Sequence, residues 1–121
     1  MERTVVNLQE KLAKIDDTWT PRIVAQMNDD HFKLVKVQGE FVWHSHAETD
    51  ELFLVLKGRL RIELEEGAVT LEEGELYVVP KGAVHRPVAE EACHLLLVEP
   101  AGTINTGEAG GGLTAEDGQW I

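Results

Sequence analysis

Residues 39–58, "GEFVWHSHAETDELFLVLKG", carry two histidines one residue apart, a cluster of acids and then a continuous apolar run. A surface loop has no physical need for this combination. The apolar run must be buried, while imidazole and carboxylate groups are good ligands for divalent cations. The stretch therefore indicates either a charged turn between two buried strands or the first half of a metal site.

Short apolar and β-branched runs continue on both sides of this stretch, separated by turn residues. They include "RIVAQM", "HFKLVKV", "EFVWHSH", "RLRIELEE", "AVHRPVA" and "CHLLLVEP". Many short strands with regular turn signals are typical of a β-sandwich or β-barrel. We predict an all-β fold in which residues 21–100 form the β-barrel.

The chain before residue 21 has a helical pattern. Asn7 with Glu10 three residues later predicts a helix N-cap with a capping-box partner. The apolar residues that then fall on one helical face are Leu8, Leu12 and Ile15. We predict one short helix that ends near Asp17, within an N-terminal lead-in of residues 1–20.

Length and charge limit the classes of function. The chain has 121 residues, enough for one domain with its own core and too few for two ordinary ones. Its 22 acidic residues outnumber 11 basic residues, which gives a formal charge of −11. No basic stretch is dense enough to neutralise a run of phosphates, so we expect neither nucleic acid nor a membrane as a partner.

The cysteine content and the apolar runs bear on the compartment. Cys93 is the single cysteine, so an internal disulfide is impossible and a reducing compartment is favoured. Residues 1–17 lack the pattern of a signal peptide, and the apolar runs at 52–56 and 95–98 are too short to span a bilayer. We predict a cytoplasmic protein.

The tail, residues 101–121, is rich in Gly, Thr and acids and carries no convincing element before Trp120. We expect an irregular C-terminal tail. Two readings of Trp120 remain open: it belongs to a frayed terminus, or it fills an apolar groove on the barrel or on a partner chain.

A metal site is predicted from four residues. His44 and His46, two residues apart, project from the same face of a strand, and Glu51 opens the next strand. His85 follows a turn that begins at Pro80. Three imidazole nitrogens and one carboxylate oxygen form a ligand set for one divalent transition metal ion per chain, of which Fe, Mn, Co, Ni, Cu and Zn all remain candidates.

These residues resemble the two motifs of the cupins, a family of small β-barrels. The first motif is matched by Gly39, His44, His46, Glu51 and Gly58, and the second by Gly74, Pro80, Gly82 and His85. The resemblance covers roughly residues 30–99 and implies a single-domain double-stranded β-helix (jelly roll) that binds a metal. The whole chain is similar to small cupins described as mannose-6-phosphate-isomerase-like.

Three acids compete for the carboxylate position. Glu48 and Asp50 lie in the turn and are better explained as part of a solvated acidic loop. Glu51 is preferred because its spacing to Gly58 fits the cupin motif and because it directly precedes the apolar strand.

The residues expected to face the interior indicate the polarity of a ligand. Strand alternation points mostly apolar side chains inward, and those we assign to a substrate pocket are Val42, Phe53, Val55, Leu60 and Ile62. A sugar phosphate would require a basic clamp, which this set lacks. A less polar substrate is favoured.

Two classes of function are compatible with this pattern. The first is a metal-dependent enzyme, of isomerase or dioxygenase type, that acts on a small organic molecule. The second is a non-catalytic module that binds a metal or metabolite for sensing or storage.

A second apolar face needs a cover. We assign to it Phe41, Trp43, Leu52, Leu54 and Leu56. Another sheet layer or a twofold partner must bury this face, and we expect a homodimer.

Overall fold

Strands dominate the computed structural model, which describes residues 4–107, 109–115 and 118–121. In chain order, its elements are α1 (Leu8–Leu12), β1 (Arg22–Met27), β2 (Asp30–Glu40), β3 (Glu51–Lys57), β4 (Leu60–Leu64), β5 (Gly67–Leu71), β6 (Leu76–Val79), β7 (His85–Pro100) and β8 (Gln119–Trp120). The strands form one sheet in the order β5-β4-β7-β2-β1-β8, and β3 pairs with both β6 and β7. The predicted all-β fold with one short N-terminal helix is confirmed.

The long strand β7 organises the sheet. Its first residues pair with β4, its later residues pair with β3, and β2 runs beside both parts. The sequence predicted two strands here, at 83–89 and 93–100, whereas the structure has one strand of 16 residues. The exposed acids at 90 and 91 lie where β7 leaves β4, and the strand continues along β2.

The main core lies between the inner faces of the strands. It contains Val35, Val37, Phe53, Val55, Leu60, Ile62, Leu71, Val79, Ala89, Cys93, Leu95 and Leu97. The alternation predicted for β4 is confirmed, because Leu60 and Ile62 are fully buried. Cys93 is also fully buried, and burial raises the pKa of its thiol to about 11.

Helix α1 covers part of the outer face of the sheet. A second cluster joins Leu12 and Ile15 to Val24 and Leu34. The N-cap prediction is confirmed, because Asn7 Oδ1 accepts a hydrogen bond from the Glu10 backbone N–H at 3.0 Å. The predicted helix end near residue 17 is wrong. The helix stops after five residues, and the Ile15 carbonyl accepts instead from Lys36 Nζ at 2.6 Å.

The predicted strand at residues 40–46 is wrong beyond its first residue. Phe41 N–H donates to the Pro87 carbonyl at 2.9 Å, but proline has no N–H with which to return the bond. Only His44 makes a reciprocal pair, with His85, at 3.0 and 2.9 Å. The segment is therefore irregular and is fixed to the start of β7 through the backbone hydrogen bonds of Phe41 and His44.

Because this segment is irregular, the residues predicted to share the outer face do not all lie there. Phe41 is buried, and its ring stacks on Trp19 with 4.6 Å between centroids. Trp43 is 43% exposed, and the Arg86 guanidinium lies 5.2 Å from its ring. Assigning Phe41 to the outer face was thus wrong, since strand alternation does not apply to an irregular segment. The half-buried residues that remain on that face of β3 are Leu52, Leu54 and Leu56.

The C-terminal tail joins the sheet through its backbone. Strand β8 runs parallel to β1, and Ile121 packs in the cluster under α1. The Trp120 side chain is 57% exposed and meets the edge of His31, so it fills no apolar groove of its own barrel. Before β8, residues 103–107 and 109–115 form an irregular but tightly bonded segment, which we call the C-terminal strap. No helix in the described part of the chain is long and apolar enough to cross a membrane.

Candidate metal centre

Four buried side chains meet inside the fold. They are the four predicted ligands, His44, His46, Glu51 and His85, and each offers a ligand atom within 4.8 Å of the others. His44 and His46 come from the irregular segment, Glu51 begins β3 and His85 begins β7. This group could hold a metal ion.

Backbone pairing places the histidines. The reciprocal hydrogen bonds between His44 and His85 bring their rings to 4.2 Å between centroids. The His46 carbonyl accepts from Gly82 N–H at 2.8 Å, which ties the turn before His85 to the same segment. Two regions about forty residues apart are thereby fixed against each other before any ligand binds.

The tautomers of two histidines are set by backbone carbonyls. His44 Nδ1 lies 2.9 Å from the Val42 carbonyl oxygen, and His85 Nδ1 lies 2.9 Å from that of Ala83. A carbonyl oxygen can only accept, so Nδ1 carries the hydrogen in both rings. The lone pair is then on Nε2, which is the arrangement of a metal-binding imidazole.

Three ligand atoms are buried without a hydrogen-bond partner. They are His46 Nε2, Glu51 Oε1 and His85 Nε2. Glu51 Oε1 lies 3.4 Å from each of the two nitrogens. Leaving one buried polar atom unpaired lowers the free energy of unfolding by roughly 1–3 kcal/mol. Three such atoms facing one another would lower it further. A divalent cation among them would satisfy all three, so this donor set fits a transition metal.

The protonation states also suit a cation. Burial, and then the proximity of His85, lowers the pKa of His44 from 6.5 to about 4, so this ring is neutral near pH 7. Burial alone would raise the pKa of Glu51, but the close approach of His46, His85 and Glu99 holds it well below its usual range. The site therefore presents a neutral imidazole and an ionised carboxylate.

A buried ion pair next to the site was missed in the sequence. Lys33 Nζ lies 3.0 Å from Glu99 Oε1, and both side chains are almost completely buried. Burial, and then the charge of Glu51, raises the pKa of Glu99 well above its usual range. Strand alternation could have found both residues, because Lys33 shares a face with Val35 and Glu99 shares one with Leu97.

A small cavity adjoins His44 and Glu51. About 30 Å³ of it can be occupied by the centre of a water molecule, which is room for one or two waters. Its polar lining residues are His44, Glu51, Glu99 and Asn105. The rest of the wall is apolar and consists of Trp19, Pro21, Val35, Val37, Phe41, Phe53, Pro87, Leu95 and Leu97.

The predicted pocket residues occupy different places. Phe53 lines this cavity. Val55, Leu60 and Ile62 point inward but lie in the packed core, and they do not line the cavity. Val42 is half-buried and contributes its carbonyl to His44 Nδ1. Alternation identifies the inward face of a strand, but not which inward residues reach the ligand site.

Solved structures and curated relatives resemble the chain. The Cupin_2 family, described as a cupin domain, matches residues 31–99. A cupin-2 domain protein from Shewanella frigidimarina is 50% identical, with a TM-score of 0.78, over 79% of this chain and 94% of that one. Protein NMB1881 from Neisseria meningitidis is 36% identical, with a TM-score of 0.74, over 80% and 99% of the two chains.

Among curated proteins, the uncharacterized protein YdbB of Bacillus subtilis is 38% identical over 64 residues. That match covers 52% of this chain and 57% of YdbB, so the chain spans little more than half of this relative. The family match covers more than half of the chain and includes all four candidate ligands. The chain belongs to the cupin family, as a small protein with a Cupin_2 domain.

Proposed function

We propose that the protein binds one divalent transition metal ion per chain through His44, His46, Glu51 and His85, and acts as a metal-dependent enzyme on a small organic molecule. The observation that carries this proposal is the set of three buried ligand atoms that face one another without partners. The reaction we propose is of isomerase or dioxygenase type.

The chemistry divides between the cation and the chain. A divalent cation held there would supply Lewis-acid polarisation of a substrate oxygen. The chain orients the rings of His44 and His85 through the carbonyls of Val42 and Ala83. Its apolar wall limits the cavity to one or two waters, which strengthens electrostatic interactions there.

The cavity wall supports a substrate of low polarity. Among the described residues that line it, none is a lysine or an arginine. The nearby Lys33 is already paired with Glu99. A phosphate group would be buried there without a positive partner, at high cost. We therefore propose a small, largely apolar substrate rather than a sugar phosphate.

A non-catalytic role is the second candidate. It is favoured by the size of the cavity, which has room for only one or two waters beside the ligands. A module that stores or senses a metal needs no more space than this. In either case we propose a cytoplasmic location, which the single buried thiol of Cys93 supports.

Elemental analysis tests the metal. Protein purified without chelators or a metal-affinity column should contain close to one transition metal ion per chain. Metal content near zero, with no uptake on adding Fe²⁺, Mn²⁺ or Zn²⁺, would contradict the proposal.

A turnover assay separates the two functions. Metal-loaded protein is incubated with a panel of small molecules under air and under nitrogen, and products are followed by mass spectrometry. Conversion in both atmospheres indicates an isomerase, and conversion only in air indicates a dioxygenase. Tight metal binding without any conversion would favour the storage or sensing role.

A further inference from the structure

The C-terminal strap, residues 103–107 and 109–115, reaches the cavity beside the candidate ligands through one residue, Asn105. Asn105 lines the cavity together with Trp19. Asn105 Nδ2 donates to the Trp19 carbonyl at 3.1 Å. The strap therefore closes the cavity on the side where the stacked rings of Trp19 and Phe41 lie.

Side chains hold the strap in a fixed shape. Asn105 Nδ2 also donates to the Leu113 carbonyl at 2.9 Å, and Asn105 Oδ1 accepts from Ala115 N–H at 2.7 Å. The Thr106 hydroxyl is fully buried and lies 2.8 Å from that of Thr114. These bonds join the two halves of the strap, so the wall is built by specific contacts.

Gly107 sets how closely the strap approaches the ligand segment. Its φ is +54°, and a Cβ there would overlap the Ser45 carbonyl oxygen and lie 3.3 Å from His46 Nδ1. Ser45 stands between His44 and His46 in the chain. Only glycine fits at this distance, so the strap packs directly on the backbone that carries two candidate ligands.

We propose that the C-terminal strap is the specificity-determining wall of the cavity. It restricts the occupant to a small molecule with an apolar body and one nitrogen or oxygen donor that reaches the end formed by His44 and Glu51. The inference rests on the proposed function, since the donor is directed at the candidate metal ligands.

The apolar wall of the cavity suits an occupant with an apolar body, but its present volume holds only one or two waters, so such an occupant must displace the strap. The water-accessible space of the cavity is about 30 Å³, whereas an engineered protein cavity that binds benzene measures about 150 Å³. The walls contributed by β2 and β7 are packed strands with regular pairing. The strap has no such ladder and is held by the side-chain bonds of Asn105 and Thr106, so it is the part of the wall that can be displaced without breaking the sheet.

A pair of glycine variants tests the strap. Gly107→Ala introduces the overlap with Ser45, while Gly110→Ala is the matched control, because Gly110 also has positive φ, +66°, but open space at its Cβ. Both variants carry similar backbone strain. Only Gly107→Ala should move the strap away from the ligand segment.

The probes are imidazole and 4-phenylimidazole, which share a donor and differ in apolar bulk. Affinities are measured by titration calorimetry on Zn²⁺-loaded and metal-free protein. We expect Gly107→Ala to bind 4-phenylimidazole at least about tenfold more tightly than the wild type, with imidazole changed much less. Gly110→Ala should behave as the wild type. An equal response of both variants, or none in either, would overturn the inference.

A second variant covers the case in which Gly107→Ala does not fold. Asn105→Ala removes the bonds to Trp19, Leu113 and Ala115 without adding an overlap, and it should also favour the larger probe. The metal content of the same preparations is also measured, so that failure of the proposed function can be distinguished from failure of this inference. If the wild type takes up no metal, the proposed function fails, and the metal-free titrations alone decide whether the strap selects by size.

Discussion

His44 shows how one buried side chain is prepared for a cation. Its Nδ1 is fixed by the Val42 carbonyl, and its pKa is lowered to about 4, first by burial and then by His85. The ring is therefore neutral and oriented before metal binds. At low pH His44 binds a proton in the unfolded chain but not in the folded chain, so the free energy of unfolding falls.

A pH series on metal-free protein tests this state. In the unfolded chain His44 titrates near 6.5, and in the folded chain near 4, so its contribution falls as pH drops through this window. Relative to His44→Gln, the wild type should lose on the order of 3 kcal/mol of unfolding free energy between pH 7 and pH 4. Urea denaturation at several pH values measures the difference.

Glu99 acts in the opposite direction in the same window. Its folded pKa is raised, so its contribution is present at low pH and is lost as pH rises. Both proteins in the comparison retain Glu99, so its own contribution cancels in the difference, which reports His44 together with its interactions with His85 and Glu51. Parallel pH profiles for the wild type and His44→Gln would contradict the prediction.

Removing one ligand should empty the site. His85 is fully buried, and its Nε2 faces Glu51 Oε1 at 3.4 Å. We expect His85→Ala to lower metal content well below one ion per chain while circular dichroism still shows the strand fold. His94→Ala, a half-buried histidine outside the four ligands, is the control and should retain metal. Unchanged stoichiometry in His85→Ala would refute the ligand set.

At the scale of elements, β2 and β7 are joined by a buried side-chain hydrogen bond as well as by their ladder. Lys33 on β2 and Glu99 on β7 form a buried pair at 3.0 Å, in the wall beside Glu51. Removing one partner of a buried pair leaves a desolvated polar group, whereas removing both partners avoids that penalty. The pair should therefore be strongly coupled.

A double-mutant cycle measures this coupling. The costs of Lys33→Met and Glu99→Leu should together exceed the cost of the double variant by about 1–3 kcal/mol in urea denaturation. The exposed pair of Arg61 and Glu90, 3.7 Å apart, is the control and should show a coupling close to zero. Similar coupling in the two pairs would show that burial does not strengthen the first.

Elements with local signals were predictable from the sequence. The cap at Asn7 depends on residues three apart, and the alternation of Leu60 and Ile62 depends on one strand. The continuity of β7 was not predictable, because it depends on β2, which lies fifty or more residues away. The irregular shape of residues 41–46 was missed for the same reason, since it follows from Pro87 on another strand.

The residues of the candidate site were likewise predictable only where they belong to a local motif. Its four ligands lie in two short motifs whose spacing indicates convergence, and the structure brings them together. Glu99 and Asn105 lie outside those motifs, although both line the cavity. Their positions depend on where β7 ends and on how the strap returns across Trp19, which no local pattern specifies.

At the scale of the whole molecule, one apolar surface lacks a cover in the described chain. On the outer face of β3 and β6, Leu52 pairs with Val78 and Leu54 pairs with Leu76. Leu76 is 56% exposed and Val78 is 45% exposed. In the described residues β6 pairs only with β3, so it is also an edge strand. We propose that a second copy of the chain covers this face.

Sedimentation tests the homodimer. At micromolar concentration the wild type should sediment as a dimer, and Leu76→Asp should shift it to a monomer by placing a charge in the apolar contact. Thr70→Asp adds the same charge on the exposed side of β5 and should leave the dimer intact. A wild type that is monomeric at this concentration would refute the proposal.

The burial of Cys93 makes its thiol a chemical probe of how often the core opens. Since this thiol is the single one in the chain and is held both inaccessible and protonated, an alkylating reagent can react only after the strands around it separate. The alkylation rate of the native protein therefore reports how often the interior opens. Comparing the alkylation rate with and without bound metal would show how much metal binding slows the opening of the core.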